Sequence, residues 1–178
     1  MISFKDFLTE SKSAPLYHGT SLFHLLNILR RNVLETRQSH GGHRLANGTK
    51  TISLTRSLSV AINWRAVIDP LGAAVLELDQ QKLAQSYKIY PVEIEYLWAR
   101  QLSPQQEKTY VQKSSKLYEE YVTKDIDPLD KYLQHIIITK NMHNKLIDEA
   151  WRKPEVKLFL EHPKLKVIDK KPKSERDF

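Results

Sequence analysis

Leu22, Leu25, Leu26 and Leu29 fall at i, i+3, i+4 and i+7, a single stripe on a helix of 3.6-residue period. The spacing predicts a helix from about Ser21 to Arg31, with Thr20 or Ser21 as N-cap and Asn32 as its stop. Just before it, Leu16 to Thr20 reads as a brief strand running into a turn. Residues 35–49 hold three of the five glycines among polar residues and predict a long loop. Thr51-Ile52-Ser53-Leu54-Thr55 then alternates as a strand does, and Ser57 can cap a helix carrying Val60, Ala61 and Trp64 on one face. Ala73 to Leu78 is the pattern of a buried strand, Gln80 to Gln85 of a short helix, and Tyr87 to Ile94 of a strand bent at Pro91. Ser103-Pro104-Gln105-Gln106 combines an N-cap, an N1 proline and a capping-box glutamine, which predicts a polar helix to about Leu117. Strands are expected at Glu119 to Lys124, Gln134 to Thr139 and Leu165 to Ile168, with amphipathic helices over 141–152 and 154–161. Trp98, Trp151 and the Leu and Ile positions of those late helices are expected in the core.

The pattern is α+β in one domain over residues 11–168, with many short strands spaced too irregularly for a doubly wound sheet. The last ten residues, 169–178, form a charged tail. A chain of 178 residues with 40% hydrophobic positions can fill a sizeable core. No apolar run approaches the roughly 20 residues of a membrane-spanning helix, and no membrane partner is expected. The absence of cysteine removes disulfides, thiolate nucleophiles and Cys-based metal sites. His40-Gly41-Gly42-His43 offers two imidazoles but no carboxylate or thiolate at ligand spacing, so no metal is expected. The formal charge of +7 is compatible with an anionic ligand, a nucleic-acid partner or a soluble surface.

His18-Gly19-Thr20 ends a strand and precedes a helix, where a turn can present amides and a side chain to a ligand. A two-histidine phosphoesterase needs a second His-x-Thr/Ser, and none of the other six histidines supplies one. Three ordered segments instead resemble the ADP-ribosyltransferase superfamily of His-Gly-Thr type. They are Leu16-Tyr17-His18-Gly19-Thr20-Ser21 with Ile28 to Leu34, then Ile52-Ser53-Leu54-Thr55-Arg56-Ser57 with Ala61 and Trp64, then Tyr118-Glu119-Glu120-Tyr121-Val122.

That resemblance implies a split mixed β-sheet with flanking helices around an NAD cleft, and transfer of ADP-ribose from NAD to a host protein or nucleic acid. It also implies the roles. Glu120, with Glu119 as runner-up, would bind the nicotinamide ribose 2′-hydroxyl and stabilise the charge that develops as nicotinamide leaves. His18 would contact the adenosine ribose, and the Gly19 backbone the nicotinamide amide. Tyr17, Thr20, Ser53 and Thr55 would line the cleft, with both hydroxyls of the second strand on its cleft-facing side. Arg56 and Arg44 would meet the phosphates. The chain departs from the pattern on the second strand, where many relatives carry a tyrosine that stacks on nicotinamide; here Tyr17, Trp64 or a loop residue would have to replace it. An RNA 2′-phosphotransferase would want a histidine in place of Glu120. A NAD glycohydrolase and an inactive NAD- or nucleic-acid-binding module stay open, the latter favoured by the missing tyrosine.

Met1 to Glu10 resembles the capsid-targeting leader of T-even-like phage internal head proteins, ending in Leu8-Thr9-Glu10 where a prohead protease would cut. The alternative is an ordinary amphipathic first helix. The leader implies a phage protein packaged in the head and acting in the host cytoplasm, and the chain is expected to be a monomer.

Overall fold

The computed structural model describes residues 14–36, 50–66, 74–91 and 119–169. Helix α1 (Leu22–Arg31) forms where the leucine stripe places it and buries Leu22, Leu25 and Ile28, each worth roughly 1.5–3 kcal/mol when removed from water. Ser21 is its N-cap, with Oγ accepting from the His24 amide at 3.3 Å. Asn32 ends it in the left-handed region, φ 54°, a conformation asparagine tolerates because its side chain can bond locally. That side chain donates to Asp130 Oδ1 at 2.9 Å and accepts the Asp130 amide at 2.8 Å, tying α1 to the 3-10 turn Leu129–Lys131.

The strands are β1 (Leu16–Thr20), β2 (Ile52–Thr55), β3 (Ala74–Leu78), β4 (Tyr90–Pro91), β5 (Glu119–Val122), β6 (Leu133–Thr139) and β7 (Leu165–Ile168). They form one mixed sheet in the order β4-β5-β2-β1-β3-β6-β7, with β6 and β7 parallel and the other neighbours antiparallel. β1 and β3 run in register from Leu16↔Leu78 to Thr20↔Ala74, whereas β1 meets β2 at Tyr17↔Thr55. The sheet is therefore joined at its middle by a narrow seam, the split that the resemblance implies.

Helices α2 (Leu58–Ala66), α3 (Gln80–Ser86), α4 (Lys140–Ala150) and α5 (Pro154–Leu160) complete the described elements with α1. The larger core lies on one sheet face, where Leu16, Leu54, Leu76 and Ile136 pack with Leu25, Leu83, Met142 and Phe159 from α1, α3, α4 and α5. A smaller cluster on the other face joins Val75 and Ile137 to Ala61 and Ile62 of α2. The Ile136-Ile137-Ile138 run is uniformly apolar because β6 has a neighbour on each side and is covered on both faces, so residues of either parity are buried.

Trp151 is a correction. It is 74% exposed at the end of α4, with the Arg152 guanidinium 4.2 Å over its ring. α4 turns Met142 and Leu146 inward, and a residue five positions beyond Leu146 lies about 140° around a helix from that stripe. Ile147 and Leu158 are exposed for the same kind of reason, since α5 turns Val156 and Phe159 inward. The expected strand around Pro91 is realised over Tyr90–Pro91. Trp98, the helix expected to follow Ser103, the leader, loop residues 37–49 and most of the tail lie outside the described residues.

Candidate active site

Opposed residues of an antiparallel pair share a sheet face. Leu54 pairs with Glu120 and Ile52 with Val122, and Ile52, Leu54 and Val122 all enter the larger core, so Glu120 belongs to that face. Leu16 of β1 enters the same core, and alternation brings His18 to its side of the sheet. His18 and Glu120 thus flank β2 on one face. Position 119 pairs with Thr55, whose register puts it on the opposite face from position 120. His18 Nδ1 lies 2.9 Å from the Ser53 carbonyl oxygen. A carbonyl can only accept, so Nδ1 carries the hydrogen, and Nε2 is the acceptor atom of the neutral ring. The bond crosses the seam between β1 and β2 and fixes the imidazole against the backbone.

Arg56 follows β2 directly. Its Nε and Nη2 both donate to Glu120 Oε1, at 2.9 and 2.6 Å, and Nη1 donates to Gln80 Oε1 at 2.9 Å. The pair is nearly dry, with side-chain exposures of 10% for Arg56 and 13% for Glu120. Glu120 Oε2 is buried and has no hydrogen-bond partner among the described residues. An ionised carboxylate oxygen left unpaired in such surroundings costs about 1–3 kcal/mol or more. It is an acceptor that can take a new donor, and a ribose hydroxyl is a donor.

The remaining expected cleft residues divide between the faces. Ser53 and Thr55 share a side, as their alternation requires, but it is the side opposite Glu120, because Leu54 between them faces Glu120. Thr55 is buried, and its hydroxyl accepts the Ser57 amide at 3.1 Å, so it shapes the turn into α2. Tyr17, on the same side, packs against the α2 cluster, and burial, helped by the charge of Glu77, raises its hydroxyl above the ordinary tyrosine pKa. Thr20 is buried at the end of β1.

Gly19 is explained by packing. A Cβ built there would overlap the backbone carbonyl oxygen of Ala61 in α2. The close approach that glycine permits here is that of the α2 backbone to β1. Gly19→Ala is expected to lower stability by about 1–3 kcal/mol, the usual cost of overpacking where backbone must move. Urea denaturation checks this, and an unchanged midpoint would show that α2 shifts freely.

Arg44, His40 and His43 lie outside the described residues, as do the side chains of Trp64 and Glu119. Among the described residues no three His, Asp or Glu cluster as metal ligands, and no helix is long and apolar enough to cross a membrane. Gln80 was not legible as a site residue, since in sequence it is only the first position of a short helix behind the capping Asp79.

No protein-family model matches this chain, and no curated protein matches it in sequence. Solved structures do match. Thermus sp. 2.9 DarT in complex with NAD+ aligns with a TM-score of 0.51 at 15% identity, over 88% of this chain and 96% of that one. The chain has the fold of DarT. DarT in complex with ADP-ribosylated ssDNA gives a TM-score of 0.50 at 14% identity, over 86% and 92% of the two chains. DarT with carba-NAD+ gives 0.50 at 15%, over 88% and 95%. At these identities the likeness to DarT is one of fold, and it agrees with the mixed sheet and flanking helices expected from the His-Gly-Thr motif.

Proposed function

We propose that this chain is an NAD-dependent ADP-ribosyltransferase whose acceptor is single-stranded DNA. The observation that carries the reading is Glu120, a nearly buried carboxylate held through Oε1 by Arg56, with Oε2 left as an open acceptor. His18 stands on the same sheet face across β2. A DarT complex with NAD+ and another with ADP-ribosylated ssDNA, both of this fold, support the substrate and the acceptor. The charge of +7 suits both anions.

In this scheme Glu120 Oε2 accepts the 2′-hydroxyl of the nicotinamide ribose. The bond from the ribose C1′ to the nicotinamide nitrogen breaks, and its electron pair leaves with nicotinamide, which becomes neutral. Positive charge builds on the ribose, and the fixed negative charge of Glu120 stabilises it without reorganisation. A lone pair of the acceptor then bonds to C1′, and the acceptor's proton passes to Glu120 or to water. In the same scheme His18 contacts a hydroxyl of the adenosine ribose. Incubation with NAD labelled in its ADP-ribose portion, together with single-stranded DNA, tests the reading, and label on the DNA is the expected result. Label on protein alone would change the acceptor. Release of nicotinamide with no labelled acceptor would indicate a glycohydrolase, and NAD binding with no turnover would indicate an inactive module.

The setting we propose is phage infection, with the chain packaged in the head and acting in the host cytoplasm. It rests on the leader-like Met1 to Glu10. Mass spectrometry of protein from virions is expected to find Ser11 as the first residue, and an intact Met1 would exclude cleavage.

A further inference from the structure

We infer that Gln80 is a positioning residue for Glu120, acting through Arg56; the inference rests on the function proposed above. A guanidinium has two usable edges. Nε and Nη2 form one, and an unconstrained arginine commonly lays such an edge against a carboxylate with one donor to each oxygen. Here both donors of that edge converge on Glu120 Oε1, at 2.9 and 2.6 Å, while Nη1 is held by Gln80 Oε1 at 2.9 Å. The guanidinium is therefore gripped from both sides. Gln80 is one of the contacts that hold it in this setting, and its loss would let the guanidinium shift toward Oε2, closing the acceptor that the ribose hydroxyl needs.

The anchor is itself fixed. Gln80 is buried and opens α3, whose N-cap Asp79 accepts the Lys82 amide at 3.0 Å and donates its own amide to the Tyr132 carbonyl at 2.8 Å. Leu83, one turn on, is fully buried in the core. A neutral amide also suits the position. Its oxygen supplies the acceptor that Arg56 Nη1 needs.

The test uses the full chain with Gln80→Leu, which removes the acceptor, and Gln80→Glu, which keeps an acceptor oxygen at the same reach. Thermal melting establishes that each variant is folded. Gln80→Leu is expected to lower kcat about 10- to 100-fold with KM for NAD unchanged, as when a reacting group is misplaced by about 1 Å. Gln80→Glu should recover most of that loss. An independent readout is the Arg56 guanidinium in nitrogen-15 NMR, assigned through Arg56→Lys. Its NH2 groups should rotate slowly and give separate signals in the wild type and in Gln80→Glu, and should average in Gln80→Leu. Wild-type kcat in Gln80→Leu, or an Arg56 signal that ignores the substitution, would overturn the inference. If the signal responds as expected but the wild type transfers no ADP-ribose, the grip on Arg56 stands and the proposed function fails.

Discussion

Glu120→Gln is expected to lower ADP-ribose transfer by at least about 10²–10³-fold, the loss typical for removing one preorganised electrostatic group. The substitution is nearly isosteric. The amide oxygen can still accept from Arg56, as Oε1 does at 2.6 Å from Nη2, so the fold should survive with a modest change in melting temperature. What disappears is the negative charge, and Oε2 becomes an NH2 group that donates where the ribose hydroxyl also donates. Labelled NAD with single-stranded DNA measures the transfer. Full activity in this variant would move the role to Glu119 or remove it from β5 altogether. Register argues against the first outcome, because position 119 pairs with Thr55 on the other face.

The fold was largely legible because its signals are local. The leucine stripe of α1, Ser21 as its cap and Asn32 as its stop are contained within a dozen residues, and the structure follows them closely. β6 and β7 were equally clear, since an isoleucine run and a short terminal alternation leave few other choices. Trp151 misled because hydrophobicity alone does not say which side of a helix meets the core. The site was legible in its residue types but not in its pairings. His18, Arg56 and Glu120 are each visible in the chain, yet the contact between Arg56 and Glu120 spans 64 positions and depends on β2 lying beside β5. Arg56 reads in the sequence as a phosphate contact, and its partners in the structure include Glu120 and Gln80. Gly19 reads in the sequence as a close approach to the nicotinamide amide, and the close neighbour in the structure is the Ala61 carbonyl oxygen.

Arg56→Met is expected to destabilise the protein by about 3–5 kcal/mol, because it leaves Glu120 charged and nearly buried with no counter-ion. Glu120→Leu should cost a similar amount by stranding the guanidinium. Combined, the two substitutions should cost far less than their sum, since apolar side chains of similar size replace a pair whose attraction barely repays its desolvation. Restoration will be incomplete by about 1 kcal/mol, as Gln80 then loses the donor now 2.9 Å from its oxygen. Urea denaturation of the four proteins completes the cycle, and additive losses would show that the pair is not energetically coupled. The double variant should also be inactive. A chain that folds nearly as well without Arg56 and Glu120 but transfers nothing would locate their value in chemistry. Two opposite charges kept almost dry, with one carboxylate oxygen unpaired among the described residues, are a poor device for stability. They are a good one for presenting a fixed negative charge to a ribose that turns positive as its leaving group departs.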